Sequence, residues 1–580
     1  MLKAEALQYL KFMMLTSTEY LNAIAAKLKT YDRKAVEQMV DNLISLIYSS
    51  EENFNTRDAE KIMQQLRNKR MFASMQKVGD ALIQTGRHTY KIRRQYAQSL
   101  IDQNNLTAAL AILQQLVADT SNASTENADA KFENTEARGL SGRVYKQLYV
   151  NAKKSAAGYR LNYIKEAVKF YLDVYVGEPA VRTWHGINAV ALLKRASTDG
   201  IALTGFPSPD DLASSVLQTI KERYDAQTAD AWDFATAAEA CVSLNDAKEA
   251  LEWMSGYARM PYCDAFELAS TLRQLEEVWQ LDMTTEMGKL LLPLLRAELL
   301  KREGGTITLD VKELKQQKAD ENNTSDSYKS LMEEQKSDKA KIVLEKVFGD
   351  DSFKTYKWYM TGADRCLAVA RIGRDSSKGF GTGFLLKGKV LDDSLGDELI
   401  LITNAHVISN DSAEKALSAN EAIITFEALN NNKEFRAEEI IWSSPSHELD
   451  TSIIRFNTED QELLKTLTEK INLYTPFKYL PVIDDPPSQR IYVIGHPLGG
   501  TLQLSFQDNI LLDYEVPKIH YRTPTEGGSS GSPVFNQQWD LIGLHHAGSS
   551  EMPCLNKKPG TYEANEGIWI QAIKKAMGNR

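Results

Sequence analysis

Cysteine is scarce in this chain: four residues in 580, at Cys241, Cys263, Cys366 and Cys554. They form no Cys-x-x-Cys pair and no Cys/His cluster. That pattern excludes a disulfide framework or a zinc ribbon and suits free buried thiols in a reducing compartment. Long apolar runs are missing too. None approaches the ~18 residues that a membrane helix requires, so no membrane span is expected. The stretch Leu7 to Leu15 is broken by Lys11, and no small-residue cleavage site follows it. A secretory leader is therefore not expected, and the reading is of a cytoplasmic protein. Positive charge is in deficit, with 68 Lys and Arg against 78 Asp and Glu and a net charge of −10. Nucleic acid and anionic membrane are not expected as main partners. Histidine numbers only eight. No pair has a metal spacing supported by carboxylates, so neither a metal nor a cofactor is expected.

What is present is ordinary for globular protein: 43% hydrophobic and 25% charged residues. The length predicts several domains. Residues 1–75 read as charged helices with apolar residues three and four apart, as at Val40, Leu43, Ile44 and Ile47. Residues 76–300 read as consecutive antiparallel helix pairs. Tyr96, Ala97, Leu100 and Ile101 share one face. The polar turn Asp102–Asn105 follows, and Ala108, Ala109, Ile112, Leu113 and Leu116 form the next face. A similar unit recurs around Ala235, Ala238, Leu244-Asn245-Asp246 and Trp253. Small residues at such crossings let helices approach closely, which is tetratricopeptide-like usage. His88 and His185 read as surface or capping residues. Residues 301–345 are polar and charged and read as a solvated linker. From 346 to 580 short apolar segments alternate with turns, which predicts an all-β barrel region closed by a helix at about Gln571 to Met577.

Within that β-rich region, Thr525-Glu526-Gly527-Gly528-Ser529-Ser530-Gly531-Ser532-Pro533-Val534 has the make-up of a nucleophile turn. An attacking serine must stand exposed on a tight turn whose N–H groups converge on one point, and glycine is needed where a side chain would block approach. Ser530 is the candidate nucleophile, with the N–H groups of Gly528 and Ser530 as candidate oxyanion donors. Upstream, Leu401 to Val407 is a strand ending in small residues and His406, and Asp450 opens a second strand. A Ser–His–Asp set is what acyl transfer needs: a nucleophile, a base, and a carboxylate that fixes the base's tautomer. Taken singly, Asp450 reads as a cap and His406 as a strand end. Taken together, the three favour a catalytic set.

These stretches resemble the trypsin-like (chymotrypsin-fold) serine peptidases, and the Gly-Ser-Ser-Gly-Ser-Pro-Val turn is most similar to that of bacterial glutamyl endopeptidases. The resemblance implies a double β-barrel and an endopeptidase with His406, Asp450 and Ser530 as triad. The position of the specificity aspartate for basic substrates holds Pro524. The resemblance instead matches Thr525 and His545, in Gly543-Leu544-His545, to residues that bind an acidic side chain before the cut. Against it, His545 and His546 would only pack beneath the site, and Glu526 would favour a cation. Gly548 is expected to pair its backbone with extended substrate. Ser529 precedes the nucleophile where digestive relatives carry Asp, so activation by a freed N-terminus is not expected. His496 and His520 read as structural, and His447 as surface.

The stretches Glu136 to Lys146, Ala167 to Tyr171 and His185 to Val190 resemble the TRAFs-binding helical domain of signalling kinases of the MAP-kinase-kinase-kinase type. That implies docking of a regulatory protein, while Gly142, Gly186 and Asn188 would otherwise serve only packing and capping. The combination resembles bacterial defence effectors in which a protease cuts a partner protein. The alternatives are a non-catalytic binding scaffold with a degenerate barrel and a broad quality-control protease.

Overall fold

The computed structural model describes residues 15–302 apart from 30–31, 50–53, 124–126 and 261. It also describes positions 307 and 314, and residues 351–578 apart from 377, 431–432, 470, 472, 481–482, 484–488, 501, 506–509 and 523–527. Nearly all of the linker expected at 301–345 lies outside these. Two compact units divide the described chain, one helical up to Glu298 and one mainly β from Asp350 onward.

The helical unit is a succession of helices whose boundaries follow local chemistry. The expected pair is present as Tyr90–Asp102 and Leu106–Ala123, with Asn104 at a φ of 62° in the turn. The later pair is Ala231–Ser243 and Ala247–Arg259, turning through Asn245 at 60°. Asp230 and Asp233 close a capping box at the start of the Ala231–Ser243 helix, satisfying backbone N–H groups that have no partner within the helix. One hydrophobic cluster runs from Tyr20 to Ile92, so the described helices before residue 75 share their core with the helices beyond them. Gly142 and Gly186 serve close packing: a Cβ would lie 3.0 Å from Tyr171 and 2.8 Å from Tyr175. His185 is buried, not on the surface. Among the described residues neither ring nitrogen has a hydrogen-bond partner, and burial holds the imidazole down at about 4.

The β unit begins with a helix that the alternating pattern did not reveal, Asp351–Cys366. Trp358 and Gly362 on it pack against Trp539. Six strands then form a closed barrel in the order β1-β2-β3-β6-β5-β4, with β1 Val369–Gly373, β2 Gly379–Lys387, β3 Leu399–Thr403, β4 Ile423–Thr425, β5 Phe435–Ser444 and β6 Thr451–Phe456. The second set is a seven-stranded antiparallel sheet, β8-β7-β11-β12-β13-β10-β9. Its strands are β7 Ile491–Gly495, β8 Gln503–Ser505, β9 Ile510–Glu515, β10 Lys518–Arg522, β11 Pro533–Asn536, β12 Leu541–Pro553 and β13 Thr561–Trp569. An isolated bridge between Arg490 and Ile510 draws the two sides of this sheet together. The closing helix is Ile570–Gly578. Among the described residues no helix is long and apolar enough to cross a membrane.

Candidate active site

Antiparallel pairing brings two of the expected residues together. Thr403, the last residue of β3, faces Ser452 at the start of β6. The residues just past β3 therefore lie beside those just before β6, which places His406 next to Asp450. The Asp450 side chain is fully buried and its backbone has a φ of 40°. Asn404 Nδ2 donates to the Asp450 carbonyl at 2.8 Å, and the Asp450 N–H donates to the Pro445 carbonyl at 3.0 Å, so this left-handed backbone is held from both sides.

The carboxylate is used on both oxygens. Oδ1 accepts the His406 backbone N–H at 3.1 Å. Oδ2 lies 2.6 Å from His406 Nδ1 and 2.6 Å from His546 Nδ1. Burial alone would push this carboxyl up, but the hydrogen bonds from the two rings outweigh it and hold it at about 2. An ionised carboxylate only accepts, so both Nδ1 atoms carry their protons. In neutral His406 that leaves Nε2 as the free base, on a side chain 35% exposed. The carboxylate thus selects the tautomer able to receive a proton from a hydroxyl.

The serine turn is bound to the same framework. Thr382 on β2 donates its N–H to the Ser530 carbonyl at 2.8 Å and its hydroxyl to the Gly528 carbonyl at 2.9 Å. Thr403 Oγ1 donates to the Thr382 carbonyl at 2.7 Å, which ties the turn to the strand leading to His406. Gly531 N–H donates to the His545 carbonyl at 3.0 Å, and His545 N–H donates to the Ser532 carbonyl at 2.8 Å. Gly528 and Gly531 have φ of 95° and 87°. A Cβ would lie 2.6 Å from Gly499 N at the first and 2.0 Å from Thr382 O at the second, so glycine is required at both. Among the described residues the N–H groups of Gly528 and Ser530 donate to nothing, and no hydrogen bond joins the Ser530 hydroxyl to His406.

The specificity candidates divide. Thr525 lies outside the described residues. His545 is buried, and its Nδ1 lies 2.8 Å from the Tyr521 hydroxyl. Burial, with smaller contributions from His546 and His406, holds it down at about 3, so it is neutral near neutral pH. When Tyr521 donates to Nδ1, the ring proton sits on Nε2. Gly548 lies on the exposed part of β12. His496 is buried with Nδ1 3.0 Å from the Gly500 carbonyl, and His447 is exposed. His520 bridges the Tyr562 hydroxyl and Glu566 at 2.8 and 2.9 Å.

His546 is the residue that sequence reasoning left as packing. A register shift between His545 and Ala547 marks a bulge in β12, where His546 meets Asp450. Two adjacent histidines on the strand after the nucleophile were the available signal. Its Nε2 lies 3.5 Å from Glu566 Oε1, so the ring stands between two carboxylates. The ligand atoms of His406, Asp450 and His546 lie within 4.8 Å of one another, close enough to share a divalent ion in principle. Both Nδ1 atoms are instead engaged as donors to a single oxygen.

Residues 381–544 match the family model described as a trypsin-like peptidase domain, and residues 68–193 match the one described as a Tetratricopeptide Repeats-Sensor. The chain thus carries a trypsin-like peptidase domain behind a tetratricopeptide-like sensor region. An uncharacterized protein of Sinorhizobium fredii is 26% identical over 237 residues, 37% of this chain and 33% of that relative. A glutamyl endopeptidase of Staphylococcus aureus is 30% identical over 155 residues, 26% of this chain and 43% of the enzyme. The chain therefore spans between a third and under half of the length of these curated relatives. Among solved structures, the Rv3671c protease in its inactive form covers 38% of this chain and 91% of its own, at 16% identity and a TM-score of 0.24.

Proposed function

We propose that the chain is a serine endopeptidase that cuts a protein partner through an acyl-enzyme, directed to it by the helical region. The observation that carries this is the His406–Asp450 pair, fixed in the base-forming tautomer and tied through Thr403 and Thr382 to the Ser530 turn. In this reading Ser530 attacks the scissile carbonyl, and His406 Nε2 takes its proton and returns it to the leaving amine. Asp450 stabilises the imidazolium, and the open N–H groups of Gly528 and Ser530 receive the oxyanion. The Ser530–His406 hydrogen bond forms as substrate enters, since such bonds are often loose in unliganded enzymes.

The test is labelling of the full chain by a fluorophosphonate, with Ser530→Ala as control. Labelling that disappears in the variant, together with a fall in peptide cleavage of about a thousandfold or more, is expected. Equal labelling of both proteins would remove Ser530 from the role and favour the non-catalytic scaffold.

The same reading assigns a preference for Glu or Asp before the cut, through a neutral His545 donating from Nε2. A peptide library should return acidic residues at that position, and His545→Ala should erase the preference. Cleavage equally distributed over neutral side chains in the unaltered chain would refute it. A role in bacterial defence rests on the pairing of sensor repeats with a peptidase. It predicts that cells tolerate the intact protein until an infecting phage or other trigger arrives; toxicity independent of any trigger would count against it.

A further inference from the structure

Helices of the helical unit line a cavity of about 360 Å³, within the size range of small-molecule sites. Three cations converge on it. Arg143 and Arg273 share one carboxylate oxygen, Asp102 Oδ1, at 2.5 and 3.6 Å. Among the described residues no carboxylate pairs with Lys146: its ammonium donates to the side-chain carbonyls of Asn188 and Gln274 at 2.8 and 2.5 Å. The nearby Glu239 is occupied by Gln274 and Trp279, and burial pushes its carboxyl up, which weakens it as a counter-ion. Among the described residues Asp102 alone makes an ion pair with any of the three, while Glu239 and Glu277 line the same cavity without one. Mutual repulsion in a desolvated site is costly unless something negative joins it. The other lining arginines differ. Arg94, Arg182 and Arg223 are each closed off by their own carboxylate, Glu133, Glu178 and Asp233, and Arg67 lies over the Phe266 ring at 4.8 Å. Trp184 and Trp232, both half-buried, add flat apolar surface to the lining.

We propose that this cavity binds a phosphorylated small molecule, with its phosphoryl oxygens on Arg143, Lys146 and Arg273. Three donors arriving from two helices suit a group with three oxygens better than a planar carboxylate. The confined volume favours a free small molecule over a phosphorylated protein segment. A proton should accompany binding. Burial, then Arg143 and Arg273, hold Lys146 down at about 7 against the opposing pull of Glu239 and Glu277. A bound dianion raises it again. Above neutral pH the ligand therefore brings a proton with it, and affinity falls as pH rises from 7 toward 9.

The experiment is calorimetric titration of the full chain with inorganic pyrophosphate and with ADP. It is run at pH 7.5 in two buffers of different ionisation enthalpy. Saturable binding with proton uptake is expected. Lys146→Met should abolish the uptake and weaken binding at least tenfold. Arg273→Gln, at a more exposed position, should weaken binding similarly and serves if the lysine variant fails to fold. Absence of saturable heat from both probes at millimolar concentration overturns the proposal, as does binding unchanged in Arg273→Gln. Binding of an acidic peptide without either probe would assign the cavity to a protein tail and equally overturn it. These readouts do not depend on peptidase activity. A change in fluorophosphonate labelling on adding ADP is scored separately, and it alone bears on whether the helical region governs Ser530.

Discussion

Asp450 concentrates the demands of the site in one side chain: it is buried, ionised, held on a left-handed backbone and shared by two imidazoles. Its carboxyl falls from the ordinary 3.8 to about 2 because the two rings donate to it despite burial. A depressed folded value means the contribution to stability is fully present above the unfolded value and is lost as pH falls through about 2. With His546→Ala one donor is gone, so the folded value rises toward the unfolded one: the contribution above the unfolded value is smaller, and less of it is left to lose in acid. A charge-assisted hydrogen bond of this kind contributes about 2 kcal/mol. Thermal melts between pH 2 and 6 should show the variant's midpoint below the parent's near pH 6, with a shallower acid limb that converges on the parent's toward pH 2. Superimposable acid limbs would mean that His546 contributes nothing to the carboxylate. The pairing was not legible in the sequence. Alternation along β12 assigns neighbouring residues to opposite faces, and only the bulge between His545 and Ala547 decides where each ring goes.

At the scale of elements, the serine turn was the most legible part of the chain. Positive φ and close backbone approach demand glycine, so Gly528 and Gly531 could be read directly from the residue types. The helix pairs were legible for a similar reason, since their turns sit at polar residues such as Asn104 and Asn245 that tolerate the left-handed region. The helix Asp351–Cys366 was not: its buried Tyr359, Met360, Ala363 and Cys366 do recur at helical spacing, but it opens a region of short β segments, and its packing partner Trp539 lies far along the chain, within reach only through tertiary structure. The turn's geometry makes its own prediction. Gly531→Ala places a Cβ 2.0 Å from the Thr382 carbonyl and should abolish fluorophosphonate labelling while far-ultraviolet circular dichroism keeps its helical signal. Gly560→Ala is the control: its φ is 98° but nothing lies within 4 Å of the added Cβ, so it should cost only about 1 kcal/mol of backbone strain and keep its labelling. Equal labelling of the two variants would show that crowding at Thr382 does not shape the turn.

At the scale of the whole molecule, a tetratricopeptide-like helical unit and a trypsin-like peptidase unit occupy one chain, and the proposed direction of cutting by the helical unit is what would distinguish a directed protease from a housekeeping one. A housekeeping enzyme recognises only the extended segment it cuts, the role proposed for β12 around the exposed Gly548. A directed enzyme gains most of its selectivity from a second surface, because tethering raises the effective concentration of one protein over all others. The two predict different responses to removal of residues 1–300. Direction through the helical unit leaves hydrolysis of a short acidic peptide within about twofold, while kcat/KM for the cognate protein falls at least tenfold, the loss of roughly 1.4 kcal/mol of docking energy. Parallel kinetics on a peptide and on a protein partner captured with Ser530→Ala would measure both. If protein and peptide rates fall together, the helical unit supports the fold of the peptidase. If neither falls, the repeats have no part in choosing the substrate, and recognition lies wholly in the peptidase unit.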